Sequence, residues 1–130
     1  MNTRARILIL DDEPIVGERL KISLEREGFA VEAFSSSAEA IKSLKEECYD
    51  ILVTDLKMSG PDGIEVLRFA KQLCPHIKPV VITGFATRKT AEEAMQSGAV
   101  EFIAKPFKIS QLKDLMMALS IEKKSDDKEI

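Results

Sequence analysis

The stretch Asp-Ile-Leu-Val-Thr-Asp, residues 50–55, is a short apolar run that ends in a carboxylate. Its consecutive apolar residues are typical of a strand that is buried on both faces, as the strands of a parallel sheet are. The run Ala-Arg-Ile-Leu-Ile-Leu, residues 5–10, has the same character and is followed directly by Asp11 and Asp12. We therefore predict two buried strands, each of which leads into acidic side chains.

Strand and helix patterns alternate five times along the chain. The other strands are predicted over residues 29–34, 79–83 and 100–104. The helical patterns between them begin and end at suitable residues: the first begins near Pro14 and ends at Gly28, and the second begins after Ser36, which has a glutamate three residues later. This alternation predicts a parallel sheet that is covered by helices on both faces.

Right-handed crossovers limit such a sheet to a few strand orders. We predict an α/β fold with a doubly wound five-stranded parallel sheet in the flavodoxin-like order 2-1-3-4-5, a (βα)5 three-layer sandwich. In this order ligands bind outside the carboxyl ends of the strands, at the switch point between strands 1 and 3. Residues 1–120 are expected to form the domain, and the charged residues 121–130 a frayed tail or the start of a linker.

The composition excludes several classes of protein. The 130 residues are enough for one domain with a core, since 45% of them are hydrophobic. The net charge is −3 with both signs interspersed, whereas a nucleic-acid-binding domain carries a concentrated basic face. No apolar run approaches the roughly 18 residues needed to cross a bilayer, and residues 1–6 contain no signal-peptide core. We expect a cytoplasmic protein that binds neither nucleic acid nor membrane.

Cys48 and Cys74 are the only cysteines, and they lack the close spacing of a metal site. A reducing compartment would keep both as thiols, so we expect two small, buried hydrophobic side chains. The single histidine, His76, lies in a predicted loop and is assigned no role.

The residues at the strand ends suggest the chemistry. Asp11 and Asp12 follow strand 1, Asp55 follows strand 3, Thr83 ends strand 4 and Lys105 follows strand 5. In a parallel sheet these segments meet at one edge, where three neighbouring carboxylates need a counter-charge. Mg²⁺ fits best, because it is held by one or two carboxylates and keeps waters and phosphate oxygens as further ligands. Such a site suits phosphoryl transfer to an aspartate.

Each of these residues alone has an ordinary structural explanation. An aspartate at a strand end is often a turn former or a helix cap, a threonine there is common, and a Lys-Pro dipeptide is usually a loop. Glu13 is interpreted as an early helix residue that the helix dipole favours, and not as a ligand. It is the joint occurrence, in order, that indicates a site.

Five segments resemble the response-regulator receiver family of two-component signal transduction, to which chemotaxis regulators belong. They are Ile-Leu-Ile-Leu-Asp-Asp-Glu-Pro (7–14), Asp-Ile-Leu-Val-Thr-Asp-Leu-Lys-Met (50–58), Asp-Gly-Ile-Glu-Val-Leu (62–67), Val-Val-Ile-Thr-Gly-Phe (80–85) and Gly-Ala-Val-Glu-Phe-Ile-Ala-Lys-Pro-Phe (98–107). The resemblance covers roughly residues 4–120, in the right order and spacing.

The resemblance implies that Asp55 accepts a phosphoryl group from the phosphohistidine of a sensor histidine kinase. It also implies a Mg²⁺ site in which Asp12 and Asp55 bind the ion directly and Asp11 holds it through water. The backbone carbonyl of Lys57 completes the protein ligands. The chain is thus expected to be a regulatory phosphoacceptor that assists its own phosphorylation and dephosphorylation, and not an enzyme.

The resemblance further implies a switch. Lys105 contacts the phosphoryl oxygens, with a cis bond between Lys105 and Pro106. Thr83 moves to hydrogen-bond the phosphoryl group, and the ring of Phe102, at the family's aromatic switch position, turns into the vacated space. The surface of helix 4, strand 5 and helix 5 then changes. A downstream output domain or protein, or a second copy in a phosphorylation-dependent homodimer, is expected to read that change.

Some positions depart from the family pattern. Ser59 stands where the family usually has proline, which occurs here at Pro61, and Gly84 replaces the commoner alanine. Lys57 and Phe85 flank the site at positions that tune dephosphorylation in the family. We hypothesise that the Lys57 side chain partly screens the acidic pocket.

Two other functions are compatible with this fold. A pseudo-receiver would be a constitutive protein-interaction module, but such domains lose some of the five residues at the strand ends. A flavodoxin-like enzyme or nucleotide binder would carry a glycine-rich phosphate loop, and neither G-x-G-x-x-G nor G-x-x-x-x-G-K-[ST] occurs. The kinase and the output stay open, although residues 82–87 and 98–107 look most like receivers that precede AAA+ transcriptional activators.

Overall fold

Five strands alternate with five helices in the computed structural model, which describes residues 4–57 and 62–128, with side chains as far as residue 120. The strands are β1 (Arg6–Leu10), β2 (Ala30–Phe34), β3 (Ile51–Thr54), β4 (Lys78–Thr83) and β5 (Glu101–Ala104). The helices are α1 (Pro14–Glu25), α2 (Ser37–Glu46), α3 (Gly63–Leu73), α4 (Arg88–Gln96) and α5 (Ile109–Lys128).

All strand pairs are parallel, and the sheet order is β2-β1-β3-β4-β5. The predicted fold class and strand order are therefore confirmed. β1 lies next to β3 with Leu10 opposite Thr54, so the chain leaves these two strands at the same level. The backbone N–H of Asp55 then donates to the carbonyl of Leu10 over 3.0 Å. This register places the ends of the two strands side by side.

The sheet separates two hydrophobic clusters, one on each face. On one face Leu8 and Leu10 of β1 pack with α2, α3 and α4, and on the other face Ile7 and Ile9 pack with α1 and α5. All four side chains are buried. Because β1 faces apolar helices on both sides, it needs a continuous apolar run and not an alternating one, which is why its sequence was informative.

Side chains and glycines fix the helix ends. The Ser36 hydroxyl accepts from the N–H of Glu39, as predicted for α2. Asp62 and Glu65 form a reciprocal capping box at the start of α3, in which each side chain accepts from the other residue's N–H over 3.0 Å. Gly98 has a φ of +117°, a left-handed conformation that favours glycine directly after α4.

The charged end of the chain was expected to be a frayed tail or the start of a linker. The backbone of α5 continues through the charged segment to Lys128. The two departures from the family pattern at Ser59 and Pro61 lie outside the described residues. Among the described helices, none combines the length and the apolar character needed to cross a bilayer.

The prediction for the two cysteines was wrong. Cys74 is buried as expected, but Cys48 is exposed, and the two sulfurs form a disulfide with 5.8 Å between the Cα atoms. Cys48 lies just before β3 and Cys74 just before β4, and these strands are parallel neighbours in register from Ile51 and Lys78. The loops at their amino ends are therefore adjacent, although 26 residues separate the cysteines along the chain.

Candidate functional site

Three carboxylates meet at the carboxyl edge of the sheet. Asp11 and Asp12 follow β1, and Asp55 follows β3. One carboxylate oxygen from each residue lies within 4.8 Å of the other two. Asp11 and Asp55 are buried, with 5% and 8% exposure, whereas Asp12 is exposed. The sequence predicted that the three carboxylates meet at this edge, and the structure adds that two of them are buried and one is exposed.

Lys105 supplies the positive charge. Its Nζ donates to Oδ2 of Asp11 and to Oδ2 of Asp55, each over 2.9 Å. Burial disfavours the charged ammonium, but the hydrogen bonds and charges of the two aspartates outweigh burial and raise the pKa of Lys105 above its ordinary 10.5. Lys105 is therefore a stable cation that bridges the two buried carboxylates.

Lys105 follows β5, which is an edge strand of the sheet, and backbone pairing brings it to this position. β5 pairs with β4 so that Ala104 lies opposite Thr83, and the N–H of Lys105 donates to the Thr83 carbonyl over 2.9 Å. The Lys105–Pro106 bond is cis, as predicted. The strand ladder thus carries Lys105 to the carboxyl edge beside Thr83.

Local hydrogen bonds orient the two buried carboxylates. Oδ1 of Asp11 accepts from the N–H of Glu13 over 3.0 Å, and Oδ1 of Asp55 accepts from the N–H of Lys57 over 3.3 Å. Each aspartate therefore uses one oxygen for its own loop and the other for Lys105. Glu13 takes part through its backbone, which agrees with its interpretation as an early helix residue.

Thr83 lies at the end of β4 and is completely buried. Its hydroxyl oxygen accepts from the N–H of Phe85 over 3.0 Å. Since a hydroxyl can accept and donate at the same time, Thr83 keeps its own proton for another acceptor. Phe102 lies further back on β5, half-buried against the cluster that contains α2, α3 and α4, and is not part of the carboxylate cluster.

Lys57 and Phe85 face each other at the mouth of the site. The Lys57 Nζ lies 4.5 Å from the centre of the Phe85 ring, which is within the range of a cation–π interaction. Both residues line an open crevice, which we call the acidic crevice, whose lining residues are Asp12, Glu13, Asp55, Lys57, Gly84, Phe85 and Lys105. The sequence placed both residues beside the site but did not predict that they contact each other.

Gly63 is a site residue whose role the sequence analysis missed. A Cβ at this position would lie 2.8 Å from the Cα of Leu56 and closer still to the backbone oxygen of Asp55, a space that no side chain can occupy. The N–H of Gly63 donates to the carbonyl of Leu56 over 2.9 Å, so α3 begins in direct contact with the loop that carries Asp55. The glycine after the capping Asp62 was the available signal, and it was used only as part of the segment 62–67 that resembles the family.

This arrangement fits a hard divalent cation. Among the described contacts, Lys105 is the ammonium that bonds to the three-carboxylate cluster, and the Lys57 ammonium lies against the Phe85 ring, so negative charge is in excess within the cluster. The exposed Asp12 lines the crevice. Carboxylate oxygens are the ligands that Mg²⁺ prefers, and Mg²⁺ keeps further positions for water or phosphate oxygens. The donor set can therefore hold such an ion.

Comparison with known proteins gives one consistent result. The pattern of the family described as "Response regulator receiver domain" matches residues 7–117. The transcriptional regulatory protein FixJ of Rhizobium meliloti is 37% identical over 118 residues, which cover 91% of this chain and 55% of FixJ. The chain spans about a quarter to about half of the length of the curated relatives that it matches.

Two solved structures show the same architecture. A response regulator receiver domain protein from Clostridium thermocellum is 34% identical, with a TM-score of 0.85 over 92% of this chain and 97% of that one. A response regulator protein from Burkholderia pseudomallei, whose structure contains a phosphorylated aspartic acid, a calcium ion and citrate, is 26% identical, with a TM-score of 0.81 over 94% of this chain and 72% of that one.

The contact at Gly63 leads to a stability prediction. We expect Gly63→Ala to lower the free energy of unfolding by about 1–3 kcal/mol, because the added methyl group must push α3 away from the Asp55 backbone. Gly84→Ala is the matched control, since a Cβ there meets nothing within 4 Å. Urea denaturation of the three proteins measures the difference, and equal stability of the two variants would contradict the close approach.

Proposed function

Because the chain belongs to the response regulator receiver domain family of bacterial two-component systems, we propose that it accepts a phosphoryl group on Asp55 from a sensor histidine kinase. The observation that carries the proposal is the position of the Asp55 carboxylate. It is buried, bridged to Asp11 by the Lys105 ammonium, and still lines the acidic crevice. A nucleophile, a fixed cation and access for a substrate are thus combined at one point.

The chemistry follows from these contacts. A carboxylate oxygen of Asp55 attacks the phosphorus of a phosphohistidine, so that a P–O bond forms as the P–N bond breaks and the imidazole leaves. Lys105 holds its charge throughout, because its pKa is raised. Its ammonium lies 2.9 Å from Asp55 Oδ2 and can turn its donors to the phosphoryl oxygens once these arrive.

We further propose Mg²⁺ as the cofactor. Asp12 and Asp55 would bind it directly, Asp11 through water, and the Lys57 carbonyl would complete the protein ligands. The ion supplies charge neutralisation for the transferring group. The clustered carboxylates support this assignment, and so does the presence of a calcium ion and a phosphorylated aspartic acid in the Burkholderia pseudomallei regulator.

The proposed output is a switch that begins at Thr83. A phosphoryl group on Asp55 offers a strong acceptor to the Thr83 hydroxyl, whose oxygen already accepts from Phe85. A shift of Thr83 frees space for the Phe102 ring and biases the surface formed by α4, β5 and α5. Met95 and Val100 are exposed apolar side chains on this surface, which suits a protein partner.

The partners we propose are the kinase and a downstream output domain or protein, with a phosphorylation-dependent homodimer as one form of output. The curated relatives are longer than this chain, and we propose that residues 121–130 are a charged tail or the start of a linker. We also propose that the protein works in the cytoplasm, as a regulatory phosphoacceptor that contacts neither nucleic acid nor membrane itself.

The first test concerns Asp55. We expect Asp55→Asn to abolish labelling by acetyl phosphate and by the kinase, because the amide is not a nucleophile toward phosphorus. Asp62→Asn is the matched control, since it makes the same change in the same connection but can still cap α3. Phosphoprotein gels and intact mass report the label, and full stoichiometry in Asp55→Asn would refute the assignment.

The second test concerns Lys105. We expect Lys105→Met to lower the free energy of unfolding by about 1–3 kcal/mol without metal, because it removes the ammonium that donates to one oxygen of each buried carboxylate. Millimolar Mg²⁺ should reduce this loss. Since the pKa of Lys105 is raised in the folded state, its contribution is present below the unfolded pKa and is lost only as the pH rises through the folded one, above 10.5.

Lys108→Met is the control for Lys105, since Lys108 is exposed and should be indifferent to Mg²⁺. Chemical denaturation in EDTA and in Mg²⁺ measures the difference. A loss that is the same size in both solutions would argue against a cation site at these carboxylates.

The third test concerns the Lys57–Phe85 pair. We expect Lys57→Ala to shorten the lifetime of the phosphorylated form roughly two- to fivefold, which corresponds to the loss of one exposed cation–π contact that covers the crevice. Lys57→Arg keeps the charge and the ring contact and should retain the lifetime. Decay of the phosphorylated protein after removal of the donor is the measurement. If neither lifetime nor Mg²⁺ affinity changes in Lys57→Ala, the screening hypothesis is wrong.

A further inference from the structure

The disulfide lies at the amino edge of the sheet, opposite the carboxylates. Cys48 is in the connection from α2 to β3, and Cys74 is the C-cap that follows α3 in the connection to β4. The Lys78 N–H donates to the Asp50 carbonyl over 2.9 Å, which closes the sheet just above the two cysteines. The bond therefore joins two segments that the parallel register already holds together.

The disulfide closes a ring around the phosphoacceptor segment. The 26-residue separation between the cysteines includes all of β3, Asp55, the connection after it and all of α3. None of the described groups that contact the Asp55 carboxylate is near the bond, since they lie at the other edge of the sheet. The ring thus constrains the segment as a whole and leaves its reactive end unchanged.

The two sulfurs differ in accessibility. Cys48 is exposed, whereas Cys74 is 3% exposed and packs in the cluster formed by α2, α3 and α4. Thiol–disulfide exchange requires that a thiolate and a disulfide sulfur approach in line, so access decides which sulfur meets a soluble partner. The Cys48 sulfur is therefore the one that a soluble thiol or disulfide can reach, and the Cys74 sulfur is shielded from it.

Hydrogen bonds hold both cysteines in place independently of the covalent bond. The carbonyl of Cys48 accepts from the Arg6 guanidinium over 2.9 Å. The N–H of Cys74 donates to the Ala70 carbonyl over 2.8 Å, and the Cys74 carbonyl accepts from the N–H of Ile77 over 2.9 Å. These contacts keep the Cα atoms at a distance that suits a disulfide, so the bond can open and close without unfolding.

We propose that Cys48 and Cys74 are a reversible thiol–disulfide site, which gives this domain a redox input separate from the aspartyl phosphate. A soluble disulfide of the glutathione class is the oxidant. The Cys48 thiolate attacks one of its sulfurs, forms a mixed disulfide and releases one thiol; the Cys74 thiolate then attacks Cys48 and releases the second. One soluble disulfide is reduced to two thiols as the two cysteines are oxidised, and excess thiol reverses both steps.

The position of the disulfide-closed ring predicts how oxidation changes the stability and the amide exchange of the domain. Closure restricts the unfolded chain over the phosphoacceptor segment, so the oxidised form should unfold at a higher temperature, by on the order of 10 °C. Backbone amides of α3 should exchange with solvent more slowly in the oxidised form, because the disulfide ties the end of α3 to the connection that precedes β3.

The test uses the full chain in a series of reduced and oxidised glutathione mixtures. After acid quenching and alkylation, intact mass separates the internal disulfide, the glutathione adduct and the two free thiols. We expect a single transition from free thiols to the internal disulfide. Its midpoint should be the same whether the protein starts reduced or oxidised. The oxidised form should show the higher Tm and slower α3 exchange, with acetyl-phosphate labelling of Asp55 within twofold of the reduced form.

Cys48→Ser is the main variant, because its side chain is exposed, and Cys74→Ala guards against a folding defect from a polar group in the core. The unfolding temperature of each variant should be the same in every mixture, because neither variant can form the internal disulfide. The proposal is overturned if both thiols stay free in the most oxidising mixture, if Cys48 stops as a glutathione adduct, or if the bond survives the most reducing one. Loss of labelling in both redox forms would instead count against the proposed function of Asp55.

Discussion

The ammonium of Lys105 between Asp11 and Asp55 is the interaction on which the site depends. The parallel register of β1 and β3 forces two carboxylates to the same level of the sheet, where both are buried. Like charges in such a position repel strongly, because water screens them poorly. The β4–β5 ladder delivers a cation to the same point, and the hydrogen bonds that result raise the pKa of Lys105. Four strands are therefore needed to assemble the charged contacts around Asp55.

The two edges of the sheet carry different groups of side chains. At the carboxyl edge, side chains converge in an open acidic crevice, and the loops are held by hydrogen bonds from backbone N–H groups to carboxylates. At the amino edge, the same strands bring Cys48 and Cys74 together. Both constellations follow from parallel pairing, which aligns every residue before a strand with its neighbours and every residue after it. β3 and α3, which run between the two edges, belong to both.

Much of this was predictable, for reasons that are physical. The central strands are buried on both faces, so their sequences are continuous apolar runs, and the residues at their carboxyl ends fall at one edge. That logic predicted Asp11, Asp12, Asp55, Thr83 and Lys105. It did not predict contacts that depend on how separate loops approach each other. Three such contacts are the close approach of Gly63 to the Asp55 backbone, the contact of Lys57 with the Phe85 ring, and the disulfide. Each joins two separate segments, and no local sequence pattern sets the distance between them.

The excess of negative charge also links stability to function. In the folded chain Lys105 compensates Asp11 and Asp55, while Asp12 adds a further negative charge at the rim. In the unfolded chain Asp55 is far from the adjacent Asp11 and Asp12, and all three carboxylates are hydrated, so the repulsion between Asp55 and the other two is a cost of the folded state. A cation that binds only the folded cluster removes part of this cost and stabilises the domain increasingly as its concentration rises. The same reasoning applies to the proposed phosphoryl group, whose charge would raise the demand for that cation. A cluster that is unfavourable by itself is thereby made responsive to the ligands it is proposed to bind.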